Sequence, residues 1–329
     1  MTPEERAAIV AESTRRMVAG IPLLDRGGWV AALEHFDAAV ELRGRLPWRE
    51  DGEAAWLLAA AWLNRSDALR GLGFLPEAIG SLDRCIEAMG SVPLAENPLH
   101  VERLILAWIN RGTACGEVGD AAAALDGFEA ARRLIDAWEL TPRRIFLAAM
   151  LRANRARVLL ENDRAKEGRE EARGAVDILR QLEPTAEVAA AGIKARSLEC
   201  RALAMLLDEP GGAATVGDWI AEATDAVEEA LVLVKAAGFR DGWAGDLVRY
   251  GARIYRVCQP QFLGEFLAEW LGVDGPLVAD ELLKREMRNE LLLARAEVER
   301  KVLLLPQETE FVGKQIRILK SLQAGEAAF

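Results

Sequence analysis

The run W-I-N-R-G-T-A-C-G-E-V-G-D-A-A-A-A-L-D-G-F-E-A-A-R-R-L, residues 108–134, decides how the rest of the chain is read. At 3.6 residues per turn its first half places Trp108, Gly112 and Cys115 on one helical face, and its second half places Ala124, Phe128 and Ala131 on another. The halves meet at Gly119-Asp120. Small residues stand where two helix axes must approach and large ones fill the space beside them, which is the pattern of a helical hairpin.

The same pattern recurs on both sides. Upstream, residues 50–72 and 75–90 repeat it as W-L-N-R-S-D-A-L, Gly73, then Ala78, Leu82 and Cys85. Further upstream, W-V-A-A-L-E-H-F-D-A-A-V carries Ala32, Phe36 and Ala39 at the spacing of Ala124, Phe128 and Ala131. Before it, Thr2-Pro3-Glu4-Glu5 opens a helix expected to end near Gly20, the one residue that stands where Gly112 does, so the opening repeat reads as a modified cap. Downstream, residues 142–182 form a fourth hairpin through A-N-R-A-R-V-L, a turn at Asn162-Asp163, and Gly168, Ala172 and Ala175. A fifth starts at Pro184 and turns at Glu209-Pro-Gly-Gly before Trp219, and residues 241–272 fit a sixth through Gly251 and Leu267.

The pattern W-x-N-x-G-x-A, then G-D, then A-x3-F-x2-A resembles the tetratricopeptide repeat. Arg65, Arg111, Arg155 and Arg196 mark a period of 46, 44 and 41 residues, longer than the usual repeat of about 34. Such long repeats resemble those of kinesin light chains and of bacterial peptide-sensing regulators. The resemblance implies an all-α, right-handed α-solenoid of antiparallel helix pairs, five to six of them over residues 1–272, with a capping helical pair over residues 273–329. In that last stretch Leu283, Met287, Leu291, Ala294, Val298, Val302 and Leu305 form one apolar stripe, Pro306 stops it, and a helix over 309–322 presents Phe311, Ile316, Leu319 and Leu322. The stripe reads as a cap; its length also suits a homodimer.

Composition narrows the function. With 41 Lys plus Arg against 52 Asp plus Glu, the net charge of −11 repels nucleic acid and anionic lipid and favours a basic or neutral partner. Cys85, Cys115, Cys200 and Cys258 are widely spaced and read as core thiols of a reducing compartment. No signal layout opens the chain, and the longest apolar run, residues 54–63, is about half a membrane span. A cytoplasmic protein without membrane insertion is expected.

His35 and His100 lie on separate repeats, and neither an H-E-x-x-H pair nor a G-x-x-x-x-G-K loop occurs. No enzyme activity, cofactor or metal is therefore expected. The expected function is a protein-interaction scaffold that binds a peptide segment or helix of a partner in its concave groove. A structural adaptor acting through its C-terminal helices on a filament or larger assembly is the alternative.

Helical spacing aligns Asn64, Asp67 and Gly71, then Asn110, Thr113 and Glu117, then Asn154, Arg157 and Glu161, in rows one helix diameter of about 10 Å apart. The resemblance implies that Asn64, Asn110 and Asn154 bind peptide main chain; the plainer alternative is that these amides bond within their own hairpins. Arg65, Arg111 and Arg155, with Arg196, stand where the family has an apolar residue. A buried guanidinium needs a partner, so acids on the second helices, such as Glu87, Glu129 and Glu171, are expected to pair with them. The functional alternative is an arginine row that reads an acidic peptide. Trp48 and Trp243, near helix starts, are the candidate exposed anchors.

Overall fold

The computed structural model describes residues 1–208, 220–237, 242–271 and 280–304, and of the side chains at 220–223, 231, 261, 281, 295 and 297–304 nothing is said. It divides into two compact units, Met1–Val158 and Leu159–Phe329. The boundary expected at residues 272/273 falls outside the described residues, as do the turn at Glu209, Trp219 and the helix expected over 309–322. Among the described residues there is no strand.

Unit 1 is built from successive helices: α1 (Pro3–Asp25), α2 (Trp29–Gly44), α3 (Gly52–Gly71), α4 (Leu75–Met89), α5 (Pro98–Glu117) and α6 (Ala121–Ala137), followed by α7 (Pro142–Glu161), which runs across the boundary. Each packs on the next from α1 to α6. The starts are chemically marked. Thr2 and Glu5 form a reciprocal capping box on α1, and Asp51, Asn97 and Asp120 cap α3, α5 and α6 through backbone N–H groups. The turns between paired helices need a left-handed residue, supplied by Gly73 (φ 79°) and Gly119 (φ 86°), and by Asp163 (φ 57°) after α7.

Within a pair, contact between axes depends on glycine. A Cβ on Gly112 would lie 2.7 Å from Phe128 Cε1, and one on Gly127 would lie 3.2 Å from Gly112 Cα. Gly20 meets Phe36 in the same way at 2.7 Å, so the first pair is a full member of the series. Phe36, Phe128, Ile105 and Ile109 are wholly buried, each stabilising the unit by about 1.5–3 kcal/mol relative to exposure. One expectation needs correction: α1 does not stop near Gly20 but continues through Pro22 to Asp25. The carbonyl that Pro22 leaves without a partner belongs to Val18, whose residue is 65% exposed, so water can satisfy it.

Unit 2 contains α8 (Ala165–Leu179), α9 (Ala186–Asp208), α10 (Ile220–Ala237), α11 (Gly242–Cys258), α12 (Leu263–Leu271) and α13 (Glu281–Leu304). Helix α9 packs on α8, α10 and α11, and α13 lies against α11 and α12. The sixth pair exists, but the residue facing Gly251 is Phe266, 2.7 Å from where a Cβ would stand, rather than Leu267. Leu283, Met287, Leu291 and Ala294 of α13 are buried in this core, and Arg249–Glu286 (2.7 Å) and Arg256–Glu290 (2.6 Å) tie the helix to α11. The described part of the stripe is thus consumed within its own unit. Val298 and Val302 lie among the side chains not described.

Candidate functional site

In unit 1 the polar rows of α3, α5 and α7 face one another. Asn110 Nδ2 donates to Asp67 Oδ1 at 3.3 Å, joining the middle of α5 to α3. Two turns further along α5, Glu117 Oε1 accepts from Arg70 Nη2 of α3 (3.1 Å) and from Arg157 Nη2 of α7 (3.4 Å). Three successive first helices are thereby linked by side chains at the spacings 67/70, 110/117 and 157. Arg70 was not among the residues singled out from sequence, although it stands one turn after Asp67 on the same face.

The three asparagines have different surroundings. Asn64 Nδ2 donates to the Ala60 carbonyl of its own helix at 3.0 Å, Asn110 reaches Asp67, and Asn154 is buried at 5% exposure. Thr113 is also buried, and its hydroxyl has no partner among the described residues. Burial pushes the Asp67 carboxyl up to about 6, with the Arg70 charge pulling the other way.

Two further arginines that sequence reasoning passed over, Arg103 of α5 and Arg43 of α2, reach the early part of α3. Arg103, seven residues before Asn110, places its guanidinium 3.2 Å from the centroid of the Trp56 ring and donates to the Trp56 carbonyl at 3.1 Å. Arg43, 3% exposed, donates to Leu57 O (2.6 Å) and Ser13 Oγ (3.1 Å). Burial lowers both to about 10. The sequence signal was the seven-residue spacing of Arg103 from Asn110; Arg43 offered none, because its reach to α1 and α3 is a tertiary event.

Two of the repeated arginines, Arg65 and Arg111, clamp one pair to the next. Arg65 Nε donates to Asp37 Oδ1 and Arg111 Nε to Asp83 Oδ1, both at 2.6 Å, each acid lying 28 residues earlier on the second helix of the preceding pair. Arg65 also donates to Ser81 Oγ at 2.6 Å, and each guanidinium stands over the tryptophan three residues before it, Trp62 at 5.5 Å and Trp108 at 5.9 Å. Arg196 pairs with Glu199 (2.6 Å) and Glu229 in unit 2. Arg155 is half-buried on α7.

The acids expected for Arg65 and Arg111 are otherwise engaged: Glu87 binds Arg84 and Arg49, and Glu129 binds Arg132 and Arg133. The reason is that α2 and α4 lie against the following helix, so an aspartate one turn before Glu87 is closer. Trp48 and Trp243 are each partly buried against a core, under Arg49 at 4.1 Å and Lys194 at 5.5 Å.

No protein-family model and no curated protein matches the chain. Solved structures do. A putative kinesin light chain of Podosopora anserina with nearly identical TPR-like repeats, in its Q17M form, matches at 13% identity over 72% of this chain and 98% of its own, with a TM-score of 0.50. Another structure of it matches at 14% over 68% and 95%, with a TM-score of 0.47. A tetratricopeptide repeat protein of Parabacteroides merdae matches at 14% over 94% and 99%, with a TM-score of 0.37. The fold is that of tetratricopeptide-like helix-pair proteins, an all-α solenoid class. No described helix is long and apolar enough to cross a membrane.

Proposed function

We propose that the chain is a non-catalytic protein-interaction scaffold whose unit 1 binds an extended segment of a partner protein along the shared face of α3, α5 and α7. The observation that carries this reading is the line Asp67–Asn110 and Arg70–Glu117–Arg157. Packing alone would put apolar groups where three neighbouring helices face one another; here donors and acceptors are set out instead, able to exchange their mutual bonds for those of a peptide main chain. The desolvated Asp67 and the unpartnered Thr113 hydroxyl fit a surface completed by an occupant.

The test is selection of peptides from a displayed random library on the full chain, followed by binding of the selected peptides to a combined Asn64→Ser, Asn110→Ser, Glu117→Gln variant. Asn154, being buried, is left unchanged. Loss of affinity by tenfold or more, with helicity and melting preserved, supports the reading. Unchanged affinity for every selected peptide removes it.

A further inference from the structure

Unit 2 contains a cavity of about 520 Å³ between α10, α11 and α12, within the range of about 300–1,000 Å³ that small-ligand sites occupy. Its lining is of two kinds. Phe262, Tyr255 and Phe266 supply aromatic surface, with the Tyr255 and Phe266 rings stacked 4.8 Å apart at 19° and the wholly buried Trp270 ring next to Phe266. Glu228, Glu265 and Glu269 supply carboxylates from two different helices.

The arrangement is not a metal site, for among the described residues no three such groups converge closely enough to hold an ion. Spread over the walls of an aromatic cavity, they suit a larger, delocalised or methylene-bearing cation, which gains from ring faces as well as from charge. Two of the carboxylates have partners within the unit: Lys235 Nζ sits on Glu269 Oε1 at 2.8 Å, and the Tyr255 hydroxyl donates to Glu228 Oε1 at 3.2 Å. Burial raises the Tyr255 phenol above its usual range, and the nearby carboxylates Glu228, Glu269 and Asp225 raise it further, as a negative local potential requires.

We infer that this cavity is a binding site for an organic cation, a guanidinium or alkylammonium group, held between the Tyr255–Phe266 stack and the carboxylates of Glu228 and Glu265. The same chemistry is presented by an arginine or lysine side chain of a partner protein and by a free polyamine. It lies wholly in unit 2 and does not depend on the peptide face of unit 1.

The experiment is isothermal titration of the full chain with three probes: an acetylated, amidated Gly-Arg-Gly peptide, the same peptide with citrulline for arginine, and spermidine. The arginine peptide is expected to bind at least tenfold more tightly than the citrulline peptide, and a Glu228→Gln, Glu265→Gln variant to lose at least tenfold. Tighter binding of spermidine than of the peptide assigns the source to a free polyamine, and the reverse to a partner side chain; either supports the site. A Glu12→Gln, Glu41→Gln control in unit 1 removes the same charge far from the cavity in sequence and should change nothing. Equal binding of citrulline and arginine, no binding of any cation, or equal losses in the two variants overturns the inference.

Discussion

Gly112 faces Phe128 so closely that a methyl group on the glycine would stand 2.7 Å from the ring carbon Cε1 and 2.8 Å from the Ala124 carbonyl oxygen. Gly20–Phe36 and Gly251–Phe266 reproduce the relationship in both units. It joins a missing side chain on one helix to a large one on its partner, so that the axes approach without leaving a void.

Gly112→Ala is therefore expected to destabilise unit 1 by about 1–3 kcal/mol, the cost of overpacking a filled interior. Gly80, in the middle of α4, has nothing within 4 Å of the site where its Cβ would be. Gly80→Ala should act in the opposite direction and stabilise by about 0.5–1 kcal/mol through helix propensity. Urea denaturation of the two variants checks both signs, and a shared sign would refute the packing argument.

The ion pairs of the repeated arginines should differ in strength according to burial. In the Arg111–Asp83 pair the side chains are 23% and 53% exposed, so a double-mutant cycle should return no more than about 1 kcal/mol. Arg196 and Glu199 are 6% and 1% exposed, and Arg196→Met takes the guanidinium from a buried carboxylate. That variant should cost about 3–5 kcal/mol, a loss that chemical denaturation would register at once.

Asp67 should impose a pH dependence of known sign. Its folded pKa of about 6 lies above the unfolded value of about 3.9, so between these the native state holds more proton than the unfolded chain. Its contribution to stability is greatest below about pH 4 and declines as pH rises to about 6, levelling beyond. Arg70 on its own helix, Asn110 on α5 and Cys85 on α4 are the groups around it, and Asn110 needs only an acceptor. Asp67→Asn keeps that acceptor and should flatten the decline while raising stability at pH 7; the urea midpoint measured from pH 4 to 8 for both proteins decides it.

The helix pairs were legible in the chain because each is local. A 3.6-residue period names the buried face, a glycine fifteen or sixteen residues before a phenylalanine names the contact, and glycine or Asn-Asp marks the turn. Pro22 was misjudged for the converse reason, since whether a proline ends a helix depends on whether the carbonyl it leaves behind can reach water.

Partners across pairs were not legible. The rows of α3, α5 and α7 could be aligned from numbering alone, yet that Asn64 turns to its own helix while Asn110 reaches Asp67 depends on side-chain rotamers and on how far one helix is shifted along the next. The acids of Arg65 and Arg111 do stand on second helices, as expected, but they are Asp37 and Asp83 of the preceding pair rather than Glu87 and Glu129.

Sequence by itself determined the unit of construction: paired helices, their turns and their inner faces, because those follow from periodicity, glycine and capping residues within some forty consecutive positions. Tertiary structure alone decided which charges meet, where Arg43 lies buried and Arg103 half-buried, and that Tyr255, Phe266 and three glutamates line one cavity. Such outcomes rest on the offset between packed helices, and a shift of a single helical turn, about 5 Å, exchanges every long-range partner while leaving each helix's own pattern intact.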